Sequence, residues 1–317
     1  MSTIAGFKSM TTLGNVHDRV FEMAKNHHDE FVPVEDISFT GLESVNIAGE
    51  KHLMRTTAQR EISNRLGVPY SYLRKCPEDV QAYNLNHWIE KEKNDELFFR
   101  FDDDEVRAVF TPRYVPVDNV SVMERLDDLG FAHDAKAQCF VDDGFMMLNI
   151  PDAGGEFTLV GQDKMRPGIS IGNSEVGIAS LSISAFILRL VCTNGLISKT
   201  DMTSAYRHVS TGILDKFPDV MASLSGEIVN QKRHLRYSLE SKVDNPESTM
   251  MAFNRQFQLN QTERDAVEWG WIFEAGDTMF SVVNAYTKAA QYDGLTADSV
   301  HRLQRVGGSV LGMVREG

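Results

Sequence analysis

The spacing of apolar residues between positions 54 and 69 is typical of a helix followed by a stop. Apolar residues recur at every fourth position from Met54 to Leu66, and Gly67 and Pro69 follow them. Such spacing forms one stripe along a helix, and glycine and proline end helices. The pattern therefore predicts a helix over residues 54–66.

A second helix is expected to begin at Pro77-Glu78-Asp79. Proline fits the first helical position, and the positive end of the helix dipole stabilises carboxylates. Four residues are expected to form the buried side of this helix: Val80, Tyr83, Leu85 and Trp88.

After residue 96 the apolar pattern changes from a helical to a strand period. Residues 97–101 and 106–110 are rich in aromatic and branched side chains and flank the acidic sequence Asp102-Asp103-Asp104-Glu105. This arrangement predicts a β-hairpin with an acidic turn. A short helix is predicted at 121–129. Further strands are predicted at 137–141, 146–150, 157–161, 168–172 and 179–191.

The order of these elements predicts an α+β fold: N-terminal helices, a central mostly antiparallel sheet with packed helices, and a helical C-terminal region. We expect an N-terminal arm at 1–45, a mixed α+β core at 46–225, and a helical region at 226–317 packed on the core. The arm contains few apolar residues, and Phe31-Val32-Pro33-Val34 is its strand-like segment. We expect that segment to pair with a neighbouring copy, which predicts a homo-oligomer.

Composition narrows the class of protein. The chain has 317 residues, with 32 basic and 45 acidic side chains and a formal charge of −13. Cys76, Cys139 and Cys192 lie far apart, without the spacing of a zinc site or a secreted disulfide framework. The N-terminus lacks the pattern of a signal peptide, and no apolar run is long enough to cross a bilayer. We expect a cytoplasmic protein with no membrane partner.

Enzyme signatures are absent from the sequence. It contains no phosphate-binding loop, serine-hydrolase elbow, zinc-protease helix or dinucleotide fingerprint, so we assign no catalytic residue, no metal and no cofactor. One enzyme alternative stays open, a cation-dependent nuclease or modifying enzyme using Asp102–Glu105 and His208. Asp-rich hairpin tips are usually solvated turns, so a turn without a bound cation is the favoured interpretation of Asp102–Glu105.

Basic residues are concentrated between positions 51 and 75. This stretch has six Lys or Arg residues against one acid, Glu61, and it includes two tyrosines. Cations that neutralise phosphates and aromatic rings that stack on bases are the combination that single-strand binders use. We therefore predict a first basic set for nucleic-acid binding: Arg55, Arg60, Arg65, Tyr72, Arg74 and Lys75.

Two other interpretations of that stretch are open. The charges can simply solvate a helix face. Residues 57–76 also have the outline of a helix-turn-helix with glycine at the turn, although Pro69 disfavours it.

A second basic set lies further along the chain. It comprises Lys164, Arg166, Arg189, Arg207, Lys232 and Arg236. Arg189 interrupts an apolar strand, where a guanidinium needs a carboxylate, a carbonyl or a bound phosphate to offset its desolvation. Structural pairing and ligand contact both stay open for Arg189.

Several segments carry specific motifs. Residues 172–174 read Gly-Asn-Ser, and residues 185–196 form an apolar strand that ends in Arg-Leu-Val-Cys-Thr-Asn-Gly-Leu. Residues 107–118 include Arg-Tyr after a strand, Arg207-His208 follows, and residues 283–287 read Val-Asn-Ala-Tyr-Thr. In this order they resemble the phage/plasmid-like protein family, a domain of unknown function found on phages, prophages and plasmids, over nearly the whole chain.

The resemblance implies work in DNA maintenance, recombination or conflict with the host, in the cytoplasm of a bacterial host cell. The family usually continues with Asp-Gly after Asn-Ser, whereas this chain has Glu175-Val176-Gly177. From the resemblance together with the two basic sets, we expect an oligomeric protein that binds single-stranded DNA or anneals it. Alternatives are the cation-dependent enzyme and a counter-defence protein that binds a host protein.

Overall fold

The computed structural model describes residues 7–161, 163–190, 194–197, 215 and 217–315. Its strands, in chain order, are β1 (Phe7–Thr12), β2 (His27–Pro33), β3 (Ile37–Phe39), β4 (Ser44–Ile47), β5 (Glu50–Met54), β6 (Glu96–Asp102), β7 (Glu105–Phe110), β8 (Lys136–Val141), β9 (Met146–Pro151), β10 (Phe157–Thr158), β11 (Lys164–Asn173), β12 (Ser182–Arg189) and β13 (Asn194–Ile197). Its α-helices are α1 (Leu13–Met23), α2 (Thr56–Arg65), α3 (Tyr70–Leu73), α4 (Glu78–Ile89), α5 (Asn119–Asp128), α6 (Phe217–Glu240), α7 (Pro246–Gln256), α8 (Gln261–Glu274), α9 (Met279–Ala289) and α10 (Ala297–Met313). The predicted α+β class is confirmed.

The strands form two sheets. Sheet A has the order β1-β8-β9-β11-β12-β13, with β10 paired to β11, and all its pairs are antiparallel. Sheet B has the order β2-β6-β7-β5-β4-β3 and is antiparallel except for the β5–β7 pair. The predicted hairpin at 97–110 is the β6–β7 pair of sheet B.

Sheet A is buried on both faces. In β9, Met146 and Leu148 pack against α1 and α5, whereas Met147 between them packs against the C-terminal helices. Successive side chains of a strand point to opposite faces, so an unbroken apolar strand requires cover on both sides. Sheet B packs α2, α3 and α4 around a separate core that includes Phe99 and Ile62.

The predicted N-terminal arm differs from the observed structure. β1 pairs with β8 of sheet A, and β2 pairs with β6 of sheet B over seven residues. Leu13, Val16 and Val20 of α1 are buried in the core beneath sheet A. The described residues before 45 are therefore structural parts of both sheets, and Phe31–Pro33 pairs within its own chain.

Two further details correct the sequence-based expectations. The boundary expected at 225/226 falls inside α6, which is continuous from Phe217 to Glu240. On α4, Leu85 and Ile89 are buried, but Tyr83 is 71% exposed and Trp88 is 43% exposed. None of the helices in the described part of the chain has the length and apolar content that a membrane span requires.

Candidate nucleic-acid interface

A cluster of two arginines and a tyrosine lies where α2 and α3 meet. The guanidinium carbon of Arg60 lies 5.3 Å from the centroid of the Tyr70 ring, and that of Arg74 lies 5.8 Å from the same centroid. Both arginines are exposed, and neither forms an ion pair with any residue that the structure describes. We call Arg60, Tyr70 and Arg74 the arginine–tyrosine cluster.

The local sequence builds this cluster through a tight helix–turn–helix connection. Gly67, with φ of 70°, ends α2 in the left-handed conformation that glycine adopts without strain. The chain then turns back, the backbone N–H of Val68 donates to the carbonyl of Ser63, and Pro69 precedes α3. Burial of Leu73 in the sheet B core fixes α3 against α2.

Two members of the first basic set have carboxylate partners instead. Arg55 donates to Asp102 Oδ2 at 2.6 Å and to Glu105 Oε2 at 2.8 Å. The side chain of Arg65 pairs with Glu92, its Nε lying 2.8 Å from the carboxylate. Their charges are therefore largely balanced within the protein, unlike those of the arginine–tyrosine cluster.

The rest of the first basic set is exposed beside the cluster. Lys75 is exposed, and Tyr72 is 49% exposed. A cavity of about 530 Å³ opens next to the ring of Tyr70, with Arg74, Lys51 and the side of Gln59 in its wall. Glu43 and Glu78 also lie in this wall, so the cavity is polar and carries both signs of charge. It has room for a planar ring next to the aromatic face.

Helix α4 adds an exposed aromatic face, where the sequence pattern predicted buried side chains. The rings of Tyr83 and His87 stack at 6.0 Å, His87 contacts Trp88 edge-on at 5.2 Å, and the ammonium of Lys91 lies 4.5 Å from the Trp88 centroid. The i, i+4 spacing of Tyr83, His87 and Lys91 was the available signal. Tyr83 and Trp88 were expected to be buried because their rings are large and apolar. The contacts of α4 with the core come instead from Leu85 and Ile89.

The second basic set is mostly paired with acids. Lys164 and Arg166 both contact Glu156, at 2.8 and 3.1 Å. Arg189 donates to Asp163 at 2.8 Å and to Glu274 at 2.9 Å, and its guanidinium lies over the Phe280 ring. The ammonium of Lys232 lies 4.3 Å from the Phe157 centroid, and Arg236, one turn later on α6, is exposed.

Arg207 and His208 lie outside the described residues, so the second set and the enzyme alternative are each only partly described. The acidic turn does form the tip of a hairpin, and Asp103 adopts a φ of 53° there. Asp102 and Glu105 bind Arg55 across this turn. Within the described ranges, no three His, Cys, Asp or Glu side chains are grouped to hold a metal ion.

The single acid of the basic stretch, Glu61, is largely removed from water. Its Oε2 accepts a hydrogen bond from the backbone N–H of Val109 at 2.9 Å. Burial raises the pKa of the Glu61 carboxyl to about 8, although that hydrogen bond lowers it. Glu61 is thus mostly neutral at pH 7, and it subtracts little from the positive charge of the first basic set.

Residues 106–306 match the family described as "Domain of unknown function (DUF932)". The match spans more than half of the chain. The protein belongs to this family. No curated protein and no solved structure matches the chain.

The DUF932 segment contains the second basic set and an ionic cluster that joins the two sheets. Glu175, which follows the Asn-Ser motif, accepts hydrogen bonds from Arg107 and from the backbone N–H of Asn119. Burial raises the pKa of Glu175, but the charge of Arg107 and the hydrogen bonds together hold it below its ordinary value. Arg100, just before the segment, is 2% exposed and binds Asp29 and the Glu175 carbonyl. The first basic set also precedes the segment.

Proposed function

We propose that this protein binds single-stranded DNA, and anneals it, in the recombination or maintenance of phage or plasmid DNA. The observation that carries the proposal is the arginine–tyrosine cluster, in which two exposed guanidinium groups flank one aromatic ring without a carboxylate partner among the described residues. The mobile-element setting rests on the motif resemblance. Assembly into a homo-oligomer stays a prediction.

Charge separation supports binding at this face. The whole chain carries −13, and a uniformly acidic surface repels phosphates. Arg60, Arg74 and Lys75 have no ion pair with described residues, so their counterions are free to be replaced by phosphates. Binding is therefore expected at one face rather than over the entire surface.

Aromatic rings beside these cations favour single strands over duplex. The exposed ring of Tyr72 and the exposed face of α4 present flat surfaces on which unpaired bases can stack. Stacking contributes about 1–3 kcal/mol per base and tolerates any sequence. The bases of a duplex are already stacked, so we expect weak duplex binding.

The test is the salt dependence of binding to fluorescent oligothymidylate, measured by anisotropy. Phosphate contacts release counterions with a log–log slope of about −0.7 per contact for single strands. We expect the Arg60→Gln/Arg74→Gln double variant to flatten the slope by about 1.4, while thermal melting stays that of the wild type. The matched control is Arg255→Gln/Arg315→Gln, which removes two exposed arginines outside both basic sets.

Three results would contradict the proposal. An unchanged slope in the Arg60/Arg74 variant would show that these side chains only solvate the surface. Equal loss in the control variant would show a nonspecific effect of net charge. Cleavage of the DNA in the presence of magnesium, abolished by Asp102→Asn, would favour the nuclease alternative.

A further inference from the structure

A second cavity, of about 350 Å³, lies along one side of α10, and no member of the first basic set lines it. Asp298, His301, Arg302 and Arg305 recur at helical spacing and form its polar wall. Phe145, Phe257 and neighbouring apolar side chains form the opposite wall. One side of the cavity is therefore polar, with two arginines and one carboxylate, and the other is apolar.

Arg305 has no partner in this cavity. It is partly buried and forms no hydrogen bond or ion pair with any described residue. Burial lowers the pKa of Arg305, and no carboxylate offsets that effect. Proteins rarely leave a partly desolvated guanidinium without an acceptor, because its desolvation then costs stability without compensation.

The neighbouring arginine differs in this respect. Arg302, one residue after His301, pairs with Glu263, which is 1% exposed, and donates to the carbonyls of Phe257 and Gln258. Both of its terminal nitrogens thus have acceptors, and Arg302 anchors α10 on the start of α8. Arg305 has the same residue type on the same helix face, but its donors remain available to a ligand.

His301 supplies a second donor. Its side chain is 7% exposed, its ring lies 5.1 Å from that of Phe145, and it forms no hydrogen bond with a described residue. Burial and the charge of Arg305 lower the pKa of His301 to about 3, so the ring is neutral at pH 7. A neutral imidazole retains one N–H group, which can donate a hydrogen bond to an anion.

The one acid of the polar wall lies at the far end. Asp298 is seven residues before Arg305 on α10, which places it about 10 Å away along the helix axis. Its Oδ1 accepts the hydroxyl of Thr296 at 2.5 Å. The end of the cavity at Arg305 is therefore positive.

We propose that this cavity binds a small organic anion, a carboxylate or phosphate ester with an apolar group. Arg305 pairs with the anionic oxygens, His301 donates a hydrogen bond, and the apolar group lies against Phe145 and Phe257. This site is independent of the single-strand interface. It makes the protein a receptor for a small-molecule ligand.

The test uses phenyl phosphate, benzoate and inorganic phosphate as probes in calorimetric titrations of the full chain. We expect saturable binding of an aromatic anion, with inorganic phosphate at least tenfold weaker because it lacks the apolar group. Arg305→Gln should weaken binding at least tenfold, and Asp298→Asn should retain or tighten it. Arg255→Gln, on an exposed face of α7, is the matched control and should bind as the wild type does.

Stability of the ligand-free protein gives a second readout. Replacing an arginine that only supports the fold lowers the stability of the protein. Replacing a ligand-binding arginine that has no acceptor in the free protein does not. We therefore expect Arg305→Gln to melt at or above the wild-type temperature. Failure of Arg305→Gln to fold, absence of binding by all three probes, or equal binding by wild type and variant would each overturn the proposal.

Discussion

The arginine–tyrosine cluster and Arg189 of the second basic set carry the same type of side chain but differ in what surrounds it. In the arginine–tyrosine cluster, Arg60 and Arg74 face an aromatic ring and solvent. In the second set, Arg189 lies between Asp163 and Glu274, with side chains that are 17%, 10% and 10% exposed. Similar guanidinium groups therefore serve a surface in one region and a buried structural junction in the other.

A basic side chain is available to a phosphate only where no carboxylate of the protein already pairs with it. Asp163 and Glu274 already neutralise the charge of Arg189. A phosphate could bind this guanidinium only by displacing both carboxylates. An exposed guanidinium over a tyrosine gives up little when it binds a phosphate. The comparison predicts that replacing the buried Arg189 changes stability, whereas variants of the cluster change affinity.

The largest expected effect is on the stability of Arg189→Gln. Removal of the guanidinium takes away the cation that both Asp163 and Glu274 contact, which should lower the free energy of unfolding by about 3 kcal/mol. Arg74→Gln should change it by less than about 0.5 kcal/mol, since Arg74 is exposed. Urea denaturation of both variants measures this contrast. Equal stability of the two variants would remove the distinction between Arg189 and the arginine–tyrosine cluster.

The next effect concerns Glu61, the one acid of the basic stretch. The unfolded chain loses this proton near pH 4.5 and the folded chain near pH 8, so the folded state binds more protons between these values. The contribution of Glu61 to stability therefore falls as pH rises through this window.

Glu61→Gln removes that pH dependence and retains an acceptor for the Val109 N–H. Relative to the wild type, we expect the variant to gain about 2 kcal/mol in unfolding free energy between pH 5 and pH 8, at about 1.4 kcal/mol per pKa unit and allowing for partial hydration. Denaturation curves at the two pH values measure the gain. Parallel pH profiles would show that Glu61 is ionised at neutral pH and offsets the charge of Arg60.

Local patterns predicted the elements whose contacts are local. The helix expected over 54–66 and the hairpin expected over 97–110 agree with α2 and with β6–β7, because each follows from periodicity within one short segment. The prediction of a separate N-terminal arm differs from the structure because the contacts of these residues are not local. β1 and β2 find their partners in β8 and β6, far along the chain, and their own residues have weak apolar alternation.

The candidate site was predictable to the same extent. Charge density and two tyrosines located the stretch that contains the arginine–tyrosine cluster. Local patterns could not separate Arg60 and Arg74 from Arg55 and Arg65, because the carboxylate partners Asp102 and Glu92 lie 47 and 27 residues away along the chain. The cavity beside α10 was not anticipated, since it depends on which of several arginines finds no acceptor.

The smallest expected effect is that of Lys164→Gln/Arg166→Gln. Both cations contact Glu156 at the protein surface, where solvent screens the pair and water replaces the lost contacts. Their hydrogen bonds lower the pKa of Glu156, so any stability they provide is lost as the pH falls through that lowered pKa. At pH 7 Glu156 is ionised with or without them, and we expect an unchanged denaturation midpoint. Because these charges are already paired, the salt slope for oligothymidylate should also equal that of the wild type. A slope that flattens as much as in the Arg60/Arg74 variant would mean that the pairs with Glu156 open on binding, and that the second basic set contacts phosphates after all.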